Sequence, residues 1–234
     1  MKMQITIPKK YIILDVFAAI CILVSFILVM FFTPIEMTMG YVQKIFYFHV
    51  AHAWIGMLSF IVAAAASFMY LIRKNSVYDL IAESAVEIGL YFTIIAVISG
   101  SIWAKPAWNT WWTWDPRLTT TTIMAFIYAG YQFLRQSLDN PDKKRRILAL
   151  YCIIGCISVP LTFFSIRGYR SIHPVLIGNT SQGMGMTPPM ILTMIISIFS
   201  FTVLYLALMQ HRFLYAKIKE ETEAEKYEME YEDE

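Results

Sequence analysis

Six stretches of this chain are long and apolar enough to cross a membrane: residues 11–32, 44–72, 80–103, 118–135, 147–166 and 188–214. A hydrocarbon layer of about 30 Å takes roughly 20 apolar residues as a helix. Inside that layer every backbone N–H and C=O needs a partner, and a helix supplies it from within the segment. The fold expected is therefore all-α, a bundle of six transmembrane helices. Composition agrees: 58% of the 234 residues are hydrophobic and only 15% are charged, which a soluble domain of this size does not show. The second stretch is over-long, so it is expected to tilt or to begin above the bilayer. The first stretch is too long for a signal-peptide core and has no small-residue cleavage site, so it reads as a span.

Lysine and arginine set the orientation. With the N-terminus inside, the inner segments carry fourteen of the nineteen basic residues; the outer segments carry Lys44, Lys105, Arg117, Arg167 and Arg170. Both termini are thus expected in the cytoplasm. Residues 1–219 read as one membrane domain without an internal repeat. Nine of the seventeen acidic residues fall between Glu220 and Glu234. That run repels itself and has little to bury, so residues 220–234 read as a solvated, mobile cytoplasmic tail.

One outer connection stands apart. Five of the six tryptophans lie in residues 103–114: Trp103, Trp108, Trp111, Trp112 and Trp114. Pro106 and Pro116 bracket the run, which argues against one continuous helix. Tryptophans belt membrane interfaces, and that accounts for Trp103 or Trp54. It accounts less well for five indoles in one connection, whose flat faces suit a planar ligand.

Histidines lie on the same side. His49 is near the outer start of the second stretch, and His173 follows the fifth. Imidazoles from separate segments can reach both axial positions of a haem iron. His49 and His52 cannot clamp one porphyrin between them, because i, i+3 neighbours on a helix point the same way. His52 either lines the site or packs in the bundle. His211, beside Arg212 at a helix C-terminus, reads as a dipole-compensating residue. Lys105, Arg117, Arg167 and Arg170 are placed to pair with propionates, or else to snorkel toward water. Asp115-Pro116 reads as a helix N-cap followed by proline at the first helical position. Asp15, Glu83 and Glu87 are carboxylates within apolar stretches, where charge is costly. Cys21, Cys152 and Cys156 read as small core residues. With no Cys-x-x-Cys-His, the chain is not itself a c-type cytochrome.

The stretch Ile102-Trp-Ala-Lys-Pro-Ala-Trp108-Asn-Thr-Trp111-Trp112-Thr-Trp114-Asp115-Pro116-Arg117-Leu118-Thr119 resembles the tryptophan-rich WWD segment of haem-handling membrane proteins. Its Arg-Leu-Thr ending is similar to the CcmC subfamily of cytochrome c maturation; the CcsA and ResC synthases more often have Lys-Glu-Thr there. The Phe48-His49-Val and Arg170-Ser-Ile-His173 contexts also resemble the two histidine sites of the family. Asn109 departs from a frequent glycine and Ala51 from a frequent proline.

The resemblance implies a bacterial inner-membrane carrier, not an enzyme. It would bind haem b non-covalently at the periplasmic face. His49 and His173 would be the axial ligands, with Trp103, Trp108, Trp111, Trp112, Trp114, Asp115, Arg117, Arg167 and Arg170 around the ring. It implies as partners the haem chaperone CcmE, the ABC transporter subunits CcmA and CcmB and the small protein CcmD, with the lipid bilayer around it and no nucleic acid. The chain has no Gly-x-x-x-x-Gly-Lys-Ser/Thr motif, so ATP use belongs to another subunit. Three alternatives stay open: a cytochrome c synthase, a b-type electron-transfer cytochrome, and a solute channel whose tryptophans only form a belt.

Overall fold

The computed structural model describes residues 8–37, 39–168, 170–173 and 186–232. Expectations for Lys2, for most of the loop after His173, and for the last two residues lie outside them. Among the described residues seven α-helices follow in order: α1 (Lys9–Ile27), α2 (Gln43–Arg73), α3 (Ser76–Trp108), α4 (Pro116–Ser137), α5 (Pro141–Gly155), α6 (Ser158–Gly168) and α7 (Pro188–Glu232). A π-helical stretch, Leu28–Phe32, extends α1. Among the described residues the only β pairing is an isolated bridge between Glu36 and Gly40.

Among the described residues, five segments are long and apolar enough to cross a membrane: Lys9–Phe32, Gln43–Arg73, Ser76–Trp108, Pro141–Gly168 and Pro188–Lys226. The sixth expected stretch, α4, has the length but is more polar. Its hydroxyls are largely satisfied at home: Thr120, Thr121 and Thr122 donate to the carbonyls of Pro116, Arg117 and Leu118 at 2.7, 2.7 and 3.0 Å.

Three boundaries differ from expectation, each for a local reason. First, α3 runs through Pro106 to Trp108. Proline forfeits the bond to the carbonyl four residues back, a small loss so near a helix end. The helix then stops at Asn109, whose φ of 57° is left-handed, a conformation asparagine accepts more readily than other side chains. Lys105 Nζ donates to the Asn109 carbonyl at 3.2 Å. Second, the fifth stretch is two helices. The chain turns at Cys156–Ile157, and Pro160, four residues past Cys156, clashes with a continuous helix there. Third, the acidic run expected as a tail is helical as far as Glu232: it continues α7. Glutamate, lysine and alanine are good helix formers. Lys217 with Glu221 and Lys219 with Glu223, at 3.7 and 3.8 Å, form i, i+4 pairs, and Arg145 binds Glu220.

In a membrane, helices associate through close packing more than through apolar burial. The α2–α3 interface shows how. A Cβ on Gly56 would stand 2.4 Å from Thr93 Oγ1, and one on Gly89 would stand 2.7 Å from Ser59 Cβ and 2.8 Å from the Phe60 ring. Missing side chains on both helices therefore let the backbones approach. Phe60 in turn stacks on Tyr128 of α4, ring centres 3.4 Å apart and planes 2° from parallel. Tyr128 shares its core with Met124, Leu148 and Cys152. On the other flank, α1 binds α7 through small polar groups: Ser25 to Ser197 at 2.9 Å and Ser200 to the Cys21 carbonyl at 2.9 Å. All three cysteines are free thiols.

The bundle end farther from His49 is tied by charge. Arg135 of α4 donates to Asp79 at 2.8 Å and Glu83 at 2.7 Å, both on α3. Arg212 of α7 reaches Glu83 at 3.1 Å and Glu87 at 2.5 Å. Arg145 of α5 is 3.9 Å from Asp79. Glu83 and Glu87, together with Asp79, thus form one alternating lattice that links four helices. Asp15 pairs with His211 at 2.8 Å, joining α1 to α7.

Gly89→Val forces a branched side chain against Ser59 and Phe60. Overpacking of this kind costs about 1–3 kcal/mol, so detergent-solubilised protein is expected to melt several degrees lower. Arg135→Ala leaves Asp79, only 4% exposed, with the more distant Arg145 alone. Removing one partner of a buried pair costs about 3–5 kcal/mol, and the expected loss lies near the low end because Arg145 and Arg212 stay. Denaturant titration of the purified variant measures it.

Candidate functional site

A cavity of ≈ 390 Å³ opens at the other end, where α2 begins and α3 ends. It is within the usual size range for small-molecule sites and mostly apolar. His49 and His173 both line it.

His49 is positioned by α3. Its Nδ1 lies 2.9 Å from the Ala96 carbonyl. A carbonyl only accepts, so Nδ1 carries the proton and Nε2 keeps its lone pair. That backbone hold is the usual way a ligating imidazole is fixed in tautomer and orientation. The ring fits because position 100 is glycine: a Cβ there would stand 2.8 Å from His49 Cε1 and 3.1 Å from Nδ1.

His173 is positioned by the segment after α6. Its backbone N–H donates to Ser171 Oγ at 3.0 Å. Its ring Nδ1 is buried without a hydrogen-bond partner among the described residues. Burial, with the positive charge of Arg117 nearby, pushes the imidazole down to about 3 from its ordinary 6.5. At neutral pH it is therefore uncharged and keeps a lone pair.

The two imidazole centres are 6.4 Å apart, with planes at 56°. A metal sits about 2 Å from an imidazole nitrogen and the ring centre about 1 Å behind it, so two rings across one metal have centres about 6 Å apart. The pair thus has the separation that one iron between them requires. Together with the buried ring nitrogen, which has no partner among the described residues, and the aromatic cavity, this fits haem.

The tryptophans divide. Trp103, Trp108 and Trp112 line the cavity. Trp108 stands edge-on to Trp103 at 4.9 Å and to His173 at 5.9 Å, so it links the end of α3 to the second histidine. Trp111 and Trp114 do not line the cavity and are 58% and 81% exposed. Among the basic candidates, Arg117 and Arg167 line it and Arg170 does not. Arg117 donates to the carbonyls of Thr162 and Phe163 at 3.2 and 3.0 Å. Arg167 lies over the Phe163 ring at 5.2 Å.

Asp115 does not line the cavity and its oxygens are taken by protein donors. Oδ1 accepts from the Arg117 N–H at 2.9 Å, the expected N-cap. Oδ2 accepts from Ser171 Oγ at 2.7 Å and from the Ile172 N–H at 2.9 Å.

His52 packs in the bundle. Its Nδ1 is 2.7 Å from the Phe48 carbonyl, and its ring lies against Phe92 at 5.4 Å and Phe201 at 4.7 Å. Sequence reasoning missed several wall residues, including Val50, Met57, Gly100 and Phe163. Only Gly100 carried a signal, as a glycine one turn from the tryptophan run.

Comparison with known proteins places this geometry in context. A family model described as CcmC, Heme exporter protein C, matches residues 3–228. Heme exporter protein C of Bradyrhizobium diazoefficiens is 30% identical over 190 residues, 80% of this chain and 72% of that protein. The protein of the same name from Paracoccus denitrificans is 31% identical over 180 residues, 76% of this chain and 75% of that protein. In Escherichia coli K12 the figures are 31% over 173 residues, 74% and 69%. This membrane protein belongs to the CcmC family, the Heme exporter protein C family of cytochrome c biogenesis.

Proposed function

We propose that this protein holds haem b as transient cargo between His49 and His173 and delivers it to a periplasmic haem chaperone of the CcmE type. The single observation that carries the reading is the 6.4 Å separation of two imidazoles inside an aromatic cavity. His49 offers Nε2 because Ala96 holds its other nitrogen. Trp103, Trp108 and Trp112 give the porphyrin flat apolar walls. Arg117 and Arg167 sit where propionates can be met by fixed cations.

Charge distribution supports the orientation. The basic residues split fourteen to five between the two sides, which supports a cavity at the periplasmic face of a bacterial inner membrane, with both termini in the cytoplasm. The count is six crossings, with the polar α4 crossing as part of the cavity wall. A chain without a phosphate-binding loop takes its energy from a partner, so ABC subunits of the CcmA and CcmB type and a CcmD-like protein complete the machine. Exposed Trp111 and Trp114 face outward from the cavity mouth and suit the interface layer or a docking partner.

Absorption spectra of purified protein test the ligands. Wild type is expected to show a six-coordinate, low-spin haem. His49→Ala and His173→Ala are each expected to lose the low-spin bands, and the double variant to lose most bound haem. A double variant with the wild-type spectrum and haem content overturns the assignment. Gly100→Ala tests the hold on His49 from the side of α3. Its Cβ crowds the ring, a strain of about 1–3 kcal/mol, so haem affinity is expected to fall about tenfold or more while helical content stays unchanged.

A further inference from the structure

We infer that Asp115 is the positioning residue for His173: one carboxylate fixes both the start of α4 and the strand of chain that carries the second iron ligand. The inference rests on the proposed ligation by His49 and His173.

Four facts converge. Asp115 is 7% exposed and outside the cavity wall, so it acts through its neighbours. Its Oδ1 caps α4 through the Arg117 N–H at 2.9 Å. Its Oδ2 binds the Ile172 N–H at 2.9 Å and Ser171 Oγ at 2.7 Å, in the two residues before His173. Ser171 Oγ in turn accepts from the His173 N–H at 3.0 Å. The His173 backbone thus hangs on Asp115 directly through Ile172 and indirectly through Ser171. No regular secondary structure holds residues 170–173, so these bonds replace the helical ladder that fixes His49. Arg117, one residue into α4, reinforces the arrangement by gripping the carbonyls of Thr162 and Phe163 in the middle of α6.

The two oxygens have separable jobs, and Asp115→Asn separates them. Asparagine is as good an N-cap as aspartate, so its Oδ1 keeps the cap of α4. Its Nδ2 is a donor, and facing the Ile172 N–H it can only repel. The variant is therefore expected to keep its fold while releasing His173. Its haem is expected to shift from low-spin to high-spin, and added imidazole is expected to restore the low-spin bands by filling the vacated position. Loss of a hydrogen bond to a charged acceptor predicts haem dissociation about tenfold faster or more. Ser171→Ala, which leaves α4 untouched, is expected to show a milder form of the same shift.

Three results decide the matter. If His173→Ala changes the spectrum and Asp115→Asn leaves it as in wild type, the positioning role is overturned. If Asp115→Asn loses helical content, Ser171→Ala decides: a partly high-spin, imidazole-rescued spectrum supports the role, and an unchanged one overturns it. If His173→Ala itself matches wild type, the ligand reading beneath the inference fails, and the two failures are told apart by that control.

Discussion

The close approach of α2 to α3 is the contact on which the site depends. Where lipid tails are as apolar as the side chains, two helices hold together by fit, and here the fit comes from glycines facing Thr93, Ser59 and Phe60. The same approach brings the Ala96 carbonyl within 2.9 Å of His49 Nδ1 and leaves room for the ring above Gly100. A bond between an imidazole and a helix backbone is stiff, because the carbonyl belongs to a ladder that cannot bend locally. The orientation of His49 is therefore a consequence of helix packing rather than of a loop.

The opposite wall is built by different means. There α3 has ended at the left-handed Asn109, and the tryptophan segment carries the chain to Asp115. Trp108 rests against both Trp103 and His173, and Asp115 ties the start of α4 to the histidine segment. The segment thus contributes both surface and geometry: three indoles wall the cavity, and the aspartate that ends the run positions its neighbours.

What the sequence revealed and hid follows from the range of the interactions. Helix caps are local, so Asp115-Pro116 announced the start of α4 correctly. Its second oxygen binds residues 56 and 57 positions away, and no local pattern records that. Gly100 sits in a 33-residue helix whose role at that position is set by α2, so a single glycine could not disclose it. The break between α5 and α6 was legible in Pro160 but was hidden by an apolar run that reads as continuous. The helix through the acidic run was hidden because self-repelling charge dominates its pattern, while its glutamates, lysines and alanine favour helix once α7 has supplied the nucleus. Five indoles in one run were visible, but the cavity takes only three, because the chain leaves the helix after Trp108 and turns Trp111 and Trp114 outward.

The two histidines are held unequally, and that inequality bears on how a carrier releases its cargo. His49 is fixed by a hydrogen bond between two packed helices. His173 sits on a short irregular stretch fastened by side-chain bonds to one carboxylate and one hydroxyl. Opening the second arrangement disturbs no helix interior, whereas moving the first requires α2 and α3 to part. At the far end, Asp79, Glu83 and Glu87 with Arg135, Arg145 and Arg212 bind α3, α4, α5 and α7 to one another, so a shift at the cavity mouth has a stationary frame to act against. In the proposed carrier, His49 is then the anchor and His173 the ligand that lets go.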